Sequence, residues 1–329
     1  MVVQDNPVFS VVVVIVSDTM NRADATHLEP CLESLLRQTG VPPIEIVVPH
    51  HPFVEGIARM RDRYPSVRFL EVSDLRTYTG RPGSREHHDE LRARGLAAAR
   101  GSIAALIEDH GVPAADWAAR FIEGHSGAYA GLGGAIENGI DRPLNWAVCF
   151  CDFLRYQNPL PEGDTATVSD ANVAYKRADL ELVRTIWQEI FHEASVNGAL
   201  RSQGKKLGLA PRALLYQHRQ GLRLGPALRE RFVWGRSYGA TRARLAGAAQ
   251  RLFWCAFAPG LPFLMLARMT LSVWKKRRTV APFLKALPFT TALVVSWSCG
   301  ELTGYVTGRA NAAGSLAAEA IARGSAGTA

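Results

Sequence analysis

The triplet Glu108-Asp109-His110 closes an apolar run, Ser102–Ile107. Carboxylates standing where a strand stops can hold a hard divalent cation through oxygen ligands, and such a cation can neutralise a phosphorylated group. The imidazole of His110 suits Mn2+ better than Mg2+. The same triplet is compatible with an acidic turn bearing a surface histidine. Further along, Arg219, Arg223 and Arg229 carry guanidinium groups that bind phosphate oxygens in pairs. They would equally form a basic face against anionic lipid.

The elements around the triplet alternate. Apolar runs at 9–16, 44–48, 67–72 and 102–107 read as buried strands, rich in β-branched residues. Helical spacing of apolar residues fills 27–38, 53–64, 84–100 (entered through Ser84) and 114–124. Strands alternating with helices predict an α/β fold with an open, mostly parallel sheet and flanking helices. Ligands of such sheets bind at the carboxyl ends of the strands, here just after Val16, Val48 and Ile107. No Gly-x-Gly-x-x-Gly follows the first strand, which argues against a dinucleotide-binding dehydrogenase.

Of the 329 residues, 47% are hydrophobic and 21% charged, enough apolar material for a packed core. The net charge of +8 suits an anionic partner. Five cysteines without a Cys-x-x-Cys pair argue against a disulfide framework or a structural zinc, and reduced thiols fit a cytosolic face. The N-terminal run lacks the basic flank of a signal peptide.

Several segments together resemble the family 2 glycosyltransferases, enzymes of the GT-A fold. Arg92, Gly95, Ala99 and Gly101 stand where that family has Arg-Asn-x-Gly and Ala-x-Gly, and Glu108-Asp109-His110 stands at its Asp-x-Asp. Leu28, Cys31, Leu32, Ser34, Leu35 and Gln38 resemble its first helix, and Ser169–Arg177 its segment before the acceptor region. The resemblance covers roughly residues 9–218 and implies a nucleotide-sugar donor and a divalent metal, Mn2+ or Mg2+, with Glu108, His110 and His218 as metal candidates. It makes Ser17, Asp18, His50, Arg92, Gly95 and Asp109 candidates for donor binding. An inverting transferase needs a carboxylate to take the acceptor hydroxyl's proton. Glu193 stands where the family places that base, with Glu189 one helical turn earlier on the same face as the second candidate. The chain departs from the pattern at Ala93, at Glu-Asp-His, and at Pro49-His50-His51, where the second strand would end in an acidic residue near the nucleoside. A non-catalytic nucleotide-binding or scaffold protein of the same fold is the alternative.

The C-terminal third is different in character. From Lys205 to Arg251 basic residues recur with Glu230 as the sole acid, and the apolar runs 252–274 and 279–300 flank Lys275-Lys276-Arg277-Arg278. The division expected is a GT-A catalytic domain over 1–220, a basic and apolar helical membrane-associated region over 221–309, and a flexible tail over 310–329. Each run holds a charge and two prolines, costly for an isolated span. If both spanned, the basic loop would lie across the bilayer from the catalytic domain, against the bias of basic loops toward the cytoplasm. Two re-entrant or interfacial helices on the cytoplasmic face remove the conflict. One true span, or a wholly soluble buried helical pair or homo-oligomer (dimer) interface, remain as alternatives. The expected partners are the donor and a membrane lipid or lipid-linked acceptor. Nucleic acid is not expected, since the basic stretch lacks interleaved aromatics.

Overall fold

The computed structural model describes residues 7–16, 24–77 and 85–309. The described residues divide into two units, one holding those up to Glu137 and Asn158–His218, the other Asn138–Gln157 and Arg219–Arg309.

In the first unit β1 (Phe9–Val14), α1 (Leu28–Leu36), β2 (Glu45–His50), α2 (Ile57–Arg63), β3 (Arg68–Glu71), α3 (Arg85–Ala98) and β4 (Ile103–Glu108) alternate as the apolar pattern predicts. These four strands are parallel, in the order β3-β2-β1-β4. The chain runs outward from β1 to β3 and then crosses back to β4, so the strand order reverses between β1 and β4. Crevices at such reversals bind ligands. Every residue of β1 is buried, which explains its valine run.

Beyond β4 the sheet continues with antiparallel strands that the alternation did not signal. They are β5 (Gly111–Pro113), β6 (Tyr129–Asn138), β7 (Gly163–Thr165), β8 (Asn172–Lys176) and β9 (Lys206–Gln217), in the order β4-β8-β6-β9-β5 with β7 on β9. Helix α4 (Trp117–Gly124) follows β5, and α6 (Arg177–Leu182), α7 (Arg184–Trp187) and α8 (Glu193–Ser202) lie between β8 and β9. Asn172 fixes this half. Its amide donates to Ala135 O and Ala213 O at 2.8 and 3.0 Å, and its carbonyl accepts from Trp117 Nε1 at 2.8 Å. A fully buried amide with its hydrogen bonds made ties β8, β6 and β9 to α4.

Two glycines of the sequence pattern are close-packing positions. A Cβ on Gly95 would collide with Val12, and a Cβ on Gly101 would lie 2.6 Å from Ser10 N. They let α3 and the turn after it lie directly on β1.

Buried neutral histidines set the acid stability of this unit. Burial pushes His125 down to about 4, against hydrogen bonds with Ala174 O and Tyr129 O, and pushes His87 down to about 3, helped by His88 and His51. The unfolded chain, with ordinary imidazoles near 6.5, therefore binds more protons than the native state as pH falls from about 6.5 toward 4. Stability should fall over that interval, with each group approaching about 1.4 kcal/mol per pH unit well inside it. Thermal unfolding of wild type and His125→Gln checks this. The variant should show a shallower acid slope, and an unchanged slope refutes the assignment.

The second unit is helical, built from α5 (Pro143–Phe153), α9 (Leu224–Leu245), α10 (Ala248–Phe257), α11 (Leu261–Lys276) and α12 (Val280–Thr307). Phe150 of α5 meets Phe283 of α12 edge-on, with ring centroids 5.2 Å apart, amid Ala286, Leu293, Ala227 and Val273. Arg231 forks onto both carboxylate oxygens of Asp152. The closest packing is between α9 and α12. A Cβ on Gly235 would strike Trp297 O, one on Gly239 Glu301 O, one on Gly300 Phe232 O and one on Gly304 Arg236 O. Two Gly-x-x-x-Gly stretches thus face each other, backbone against backbone.

Candidate active site

The last residue of β4, Glu108, lies opposite Val14 in the register with β1. The next residue, Asp109, is fully buried and ties the two strand ends together. Its N–H donates to Val14 O at 2.9 Å, and its Oδ1 accepts from Val16 N at 3.1 Å. His110 then turns back, with Nδ1 3.2 Å from Asp109 Oδ1 and Nε2 3.2 Å from Glu108 Oε2. Burial alone would lower His110, but hydrogen bonds to Asp109 and Glu108 raise it to about 9, favouring the protonated ring.

Arg92 reaches the same place from α3. Its guanidinium is buried, 2.8 Å from Asp89 Oδ1, 3.5 Å from Glu108 Oε1 and 3.4 Å from Asp170 Oδ2. These carboxylates hold it well above its ordinary value despite burial. Asp170 links the cluster to α8, since its N–H donates to Glu193 Oε2 at 3.2 Å. From β9, Gln217 Nε2 approaches Glu108 Oε2 at 3.4 Å, and His218 N donates to His110 O at 2.7 Å. Burial and the nearby His110 lower the imidazole of His218.

The structure thus gathers Arg92, Glu108, Asp109, His110, His218 and Glu193 around the carboxyl end of β4. Glu189 is elsewhere. The chain bends between α7 and α8, so Glu189 and Glu193 do not share a helix face as their spacing predicts. Glu189 pairs with Arg76 at 3.1 Å, and both are half-exposed. Gly95 lies on the face of α3 that packs against Val12 and Pro49. His50 ends β2, buried and lowered by burial, with Nδ1 3.2 Å from His51 O and no hydrogen bond or ion pair to the cluster. Ser17 and Asp18 fall outside the described residues.

Asp89, Asp170 and Gln217 were not singled out by sequence reasoning. Asp89 stands at i−3 from Arg92, an ion-pair spacing on a helix that could have drawn notice. Asp170 lies in the Ser169–Arg177 segment without having been given a role there, and Gln217 is brought in by strand pairing.

The donor set bears on a metal in two ways. Among the described residues, Asp89, Glu108, Asp109 and Asp170 stand around Arg92 and His110, and a site this rich in carboxylates favours a bound cation. Yet among the described residues no three His, Cys, Asp or Glu side chains converge as a metal centre. Both ring nitrogens of His110 face carboxylates. The protein's own contribution fits Glu108, with a ligand's oxygens completing the shell.

No protein-family model matches the chain, and no curated protein matches it. Among solved structures, the fold is similar to the mannosyltransferase PcManGT from Pyrobaculum calidifontis in complex with GDP-Man and Mn2+. The identity is 14%, over 97% of this chain and 81% of that one, with a TM-score of 0.45. It is also similar to S. aureus TarS 1-349, at 13% identity over 91% and 89% of the two chains, with a TM-score of 0.44. In a second TarS structure the identity is 12% over 69% and 39%, with a TM-score of 0.44.

Proposed function

We propose that the chain is a GT-A glycosyltransferase of the family 2 kind, moving a sugar from a nucleotide-sugar donor to a membrane-associated acceptor, with inversion, at the cytoplasmic face of a membrane. The observation that supports this most directly is the joining of Glu108, Arg92, Asp170 and Glu193 in one network at the strand reversal beside β4. Transfer needs two things in one place: charge compensation for a departing diphosphate and a base for the incoming hydroxyl.

Glu193 is the base in this reading. It takes the acceptor's proton as that oxygen attacks the anomeric carbon and the sugar–diphosphate bond breaks. Asp170 N–H orients its carboxylate. Arg92 holds Glu108 and Asp170 in place. Glu108 would hold a divalent cation together with diphosphate oxygens, and that cation would supply positive charge to the leaving group. Asp109 keeps the ends of β1 and β4 together beneath the donor, where Ser17 and Asp18 follow in sequence. His50 would meet the nucleoside.

Calorimetry with UDP-, GDP- and dTDP-sugars, with and without Mn2+, tests the proposal on wild type and Glu108→Ala. One donor should bind in a metal-dependent way, and the variant should lose that binding. No binding of any donor by folded, membrane-reconstituted protein refutes catalysis and leaves the scaffold reading.

A further inference from the structure

We infer that α10 and α11 form an in-plane anchor for an anionic lipid surface, while the α9–α12 pair stays outside the hydrocarbon. The inference rests on the membrane association proposed above and names the part of the chain that makes it.

Two helical stretches are long and apolar enough to cross a bilayer, Ala248–Lys276 and Val280–Thr307. Their surroundings separate them. Helix α12 already has a protein partner. Its Gly300 and Gly304 meet the backbone of α9 at Phe232 and Arg236, and its buried Glu301 accepts from Trp297 Nε1 at 2.8 Å and lies 3.8 Å from Arg242 of α9. Helix α9 also carries Arg229, Arg231, Arg236 and Arg244. Threading α12 through a membrane would drag these charges into hydrocarbon or unzip the glycine contact.

The stretch Ala248–Lys276 has the opposite character, with 6% of its most apolar part buried, against 28% for α12. Leu252, Phe253, Phe257, Phe263, Leu271 and Trp274 are 48% to 76% exposed. A 3-10 turn at Ala258–Gly260 lies between α10 and α11. Arg268 stands exposed in mid-run, where a spanning helix would bury it and a helix lying in the interface lets it reach the headgroups. Trp274 adjoins Lys275-Lys276-Arg277-Arg278, the pairing of an interfacial aromatic with basic residues. Charge selects the occupant. No Asp or Glu lies between Glu230 and Glu301, so this whole face repels cations and attracts an anionic bilayer.

Flotation of the full chain with vesicles of phosphatidylcholine, alone or mixed with phosphatidylglycerol, tests the inference. Wild type should float with the anionic vesicles and be released by alkaline carbonate. A Phe253→Ser, Phe263→Ser, Leu271→Ser variant should lose about ten-fold in partition per side chain. Lys275→Gln with Arg277→Gln should lose about five-fold per charge. Leu284→Ser with Val295→Ser, at exposed positions of α12, should float as wild type does. Resistance of wild type to carbonate, or loss of flotation in the α12 variant, overturns the inference in favour of a span. Flotation of the triple variant at wild-type level overturns the inference while leaving membrane association intact. Wild type that floats with neither vesicle, or instead runs as a dimer through this face, overturns both.

Discussion

Glu193→Gln should reduce sugar transfer by about 10²–10⁴-fold while leaving donor affinity unchanged. Glutamine keeps the oxygen that accepts Asp170 N–H, so the start of α8 and the link to Arg92 survive. What is lost is the ability to take a proton. The measurement is initial-rate transfer to acceptor beside calorimetric donor binding. A fall in turnover with constant donor affinity fits a base. A parallel fall in both would make Glu193 a structural member of the Asp170 network. Glu189→Gln is the companion variant. Its carboxylate faces Arg76 at the half-exposed surface, so it should transfer sugar at close to the wild-type rate.

Gly300→Leu should destabilise the helical unit by about 3 kcal/mol or more. The obstruction is the carbonyl of Phe232, a backbone atom that cannot rotate away, so relief requires α9 and α12 to separate. Gly198→Ala on α8 is the contrasting case. Nothing lies within 4 Å of a Cβ there, and alanine should add about 0.5–1 kcal/mol by restricting the unfolded chain. Thermal unfolding of the two variants reads the difference. Equal effects would show that helix propensity, not contact, sets the role of Gly300.

The parallel half of the fold was legible because its signals are local. Valine runs, helical spacing and the Ala-Arg-Gly turn each reside within a few residues, and α3 and β4 stand within two residues of where the pattern puts them. The antiparallel half was not legible. Three of its strands are short, the two long ones carry glycines (β6) or a glycine and a proline (β9) that blur the strand pattern, and their pairing depends on long-range ties such as Asn172 to Ala135 and Ala213. The site divides in the same way. Arg92 and the triplet at 108–110 belong to local patterns. Asp170 belongs to the Ser169–Arg177 pattern but its role there shows only in the fold, and Gln217 reaches the cluster through pairing of distant strands. Glu189 misled because a spacing of four implies a shared face only if the helix is continuous, and here α8 begins at Glu193. The facing Gly-x-x-x-Gly stretches were present in the sequence all along, but they have meaning only as a pair.

Strand β6 lies in the sheet between β8 and β9, both made later in the chain, and α5 rests with helices that begin at Leu224. During synthesis the ribosome therefore releases the parallel strands first, with the β4 edge still unpaired, followed by a strand with both edges bare and an apolar helix awaiting partners. Open edges of this kind invite pairing with other chains. The interval between translation of β6 and of β9 is thus when the nascent chain most needs a chaperone, or a nearby bilayer, to keep it from aggregating.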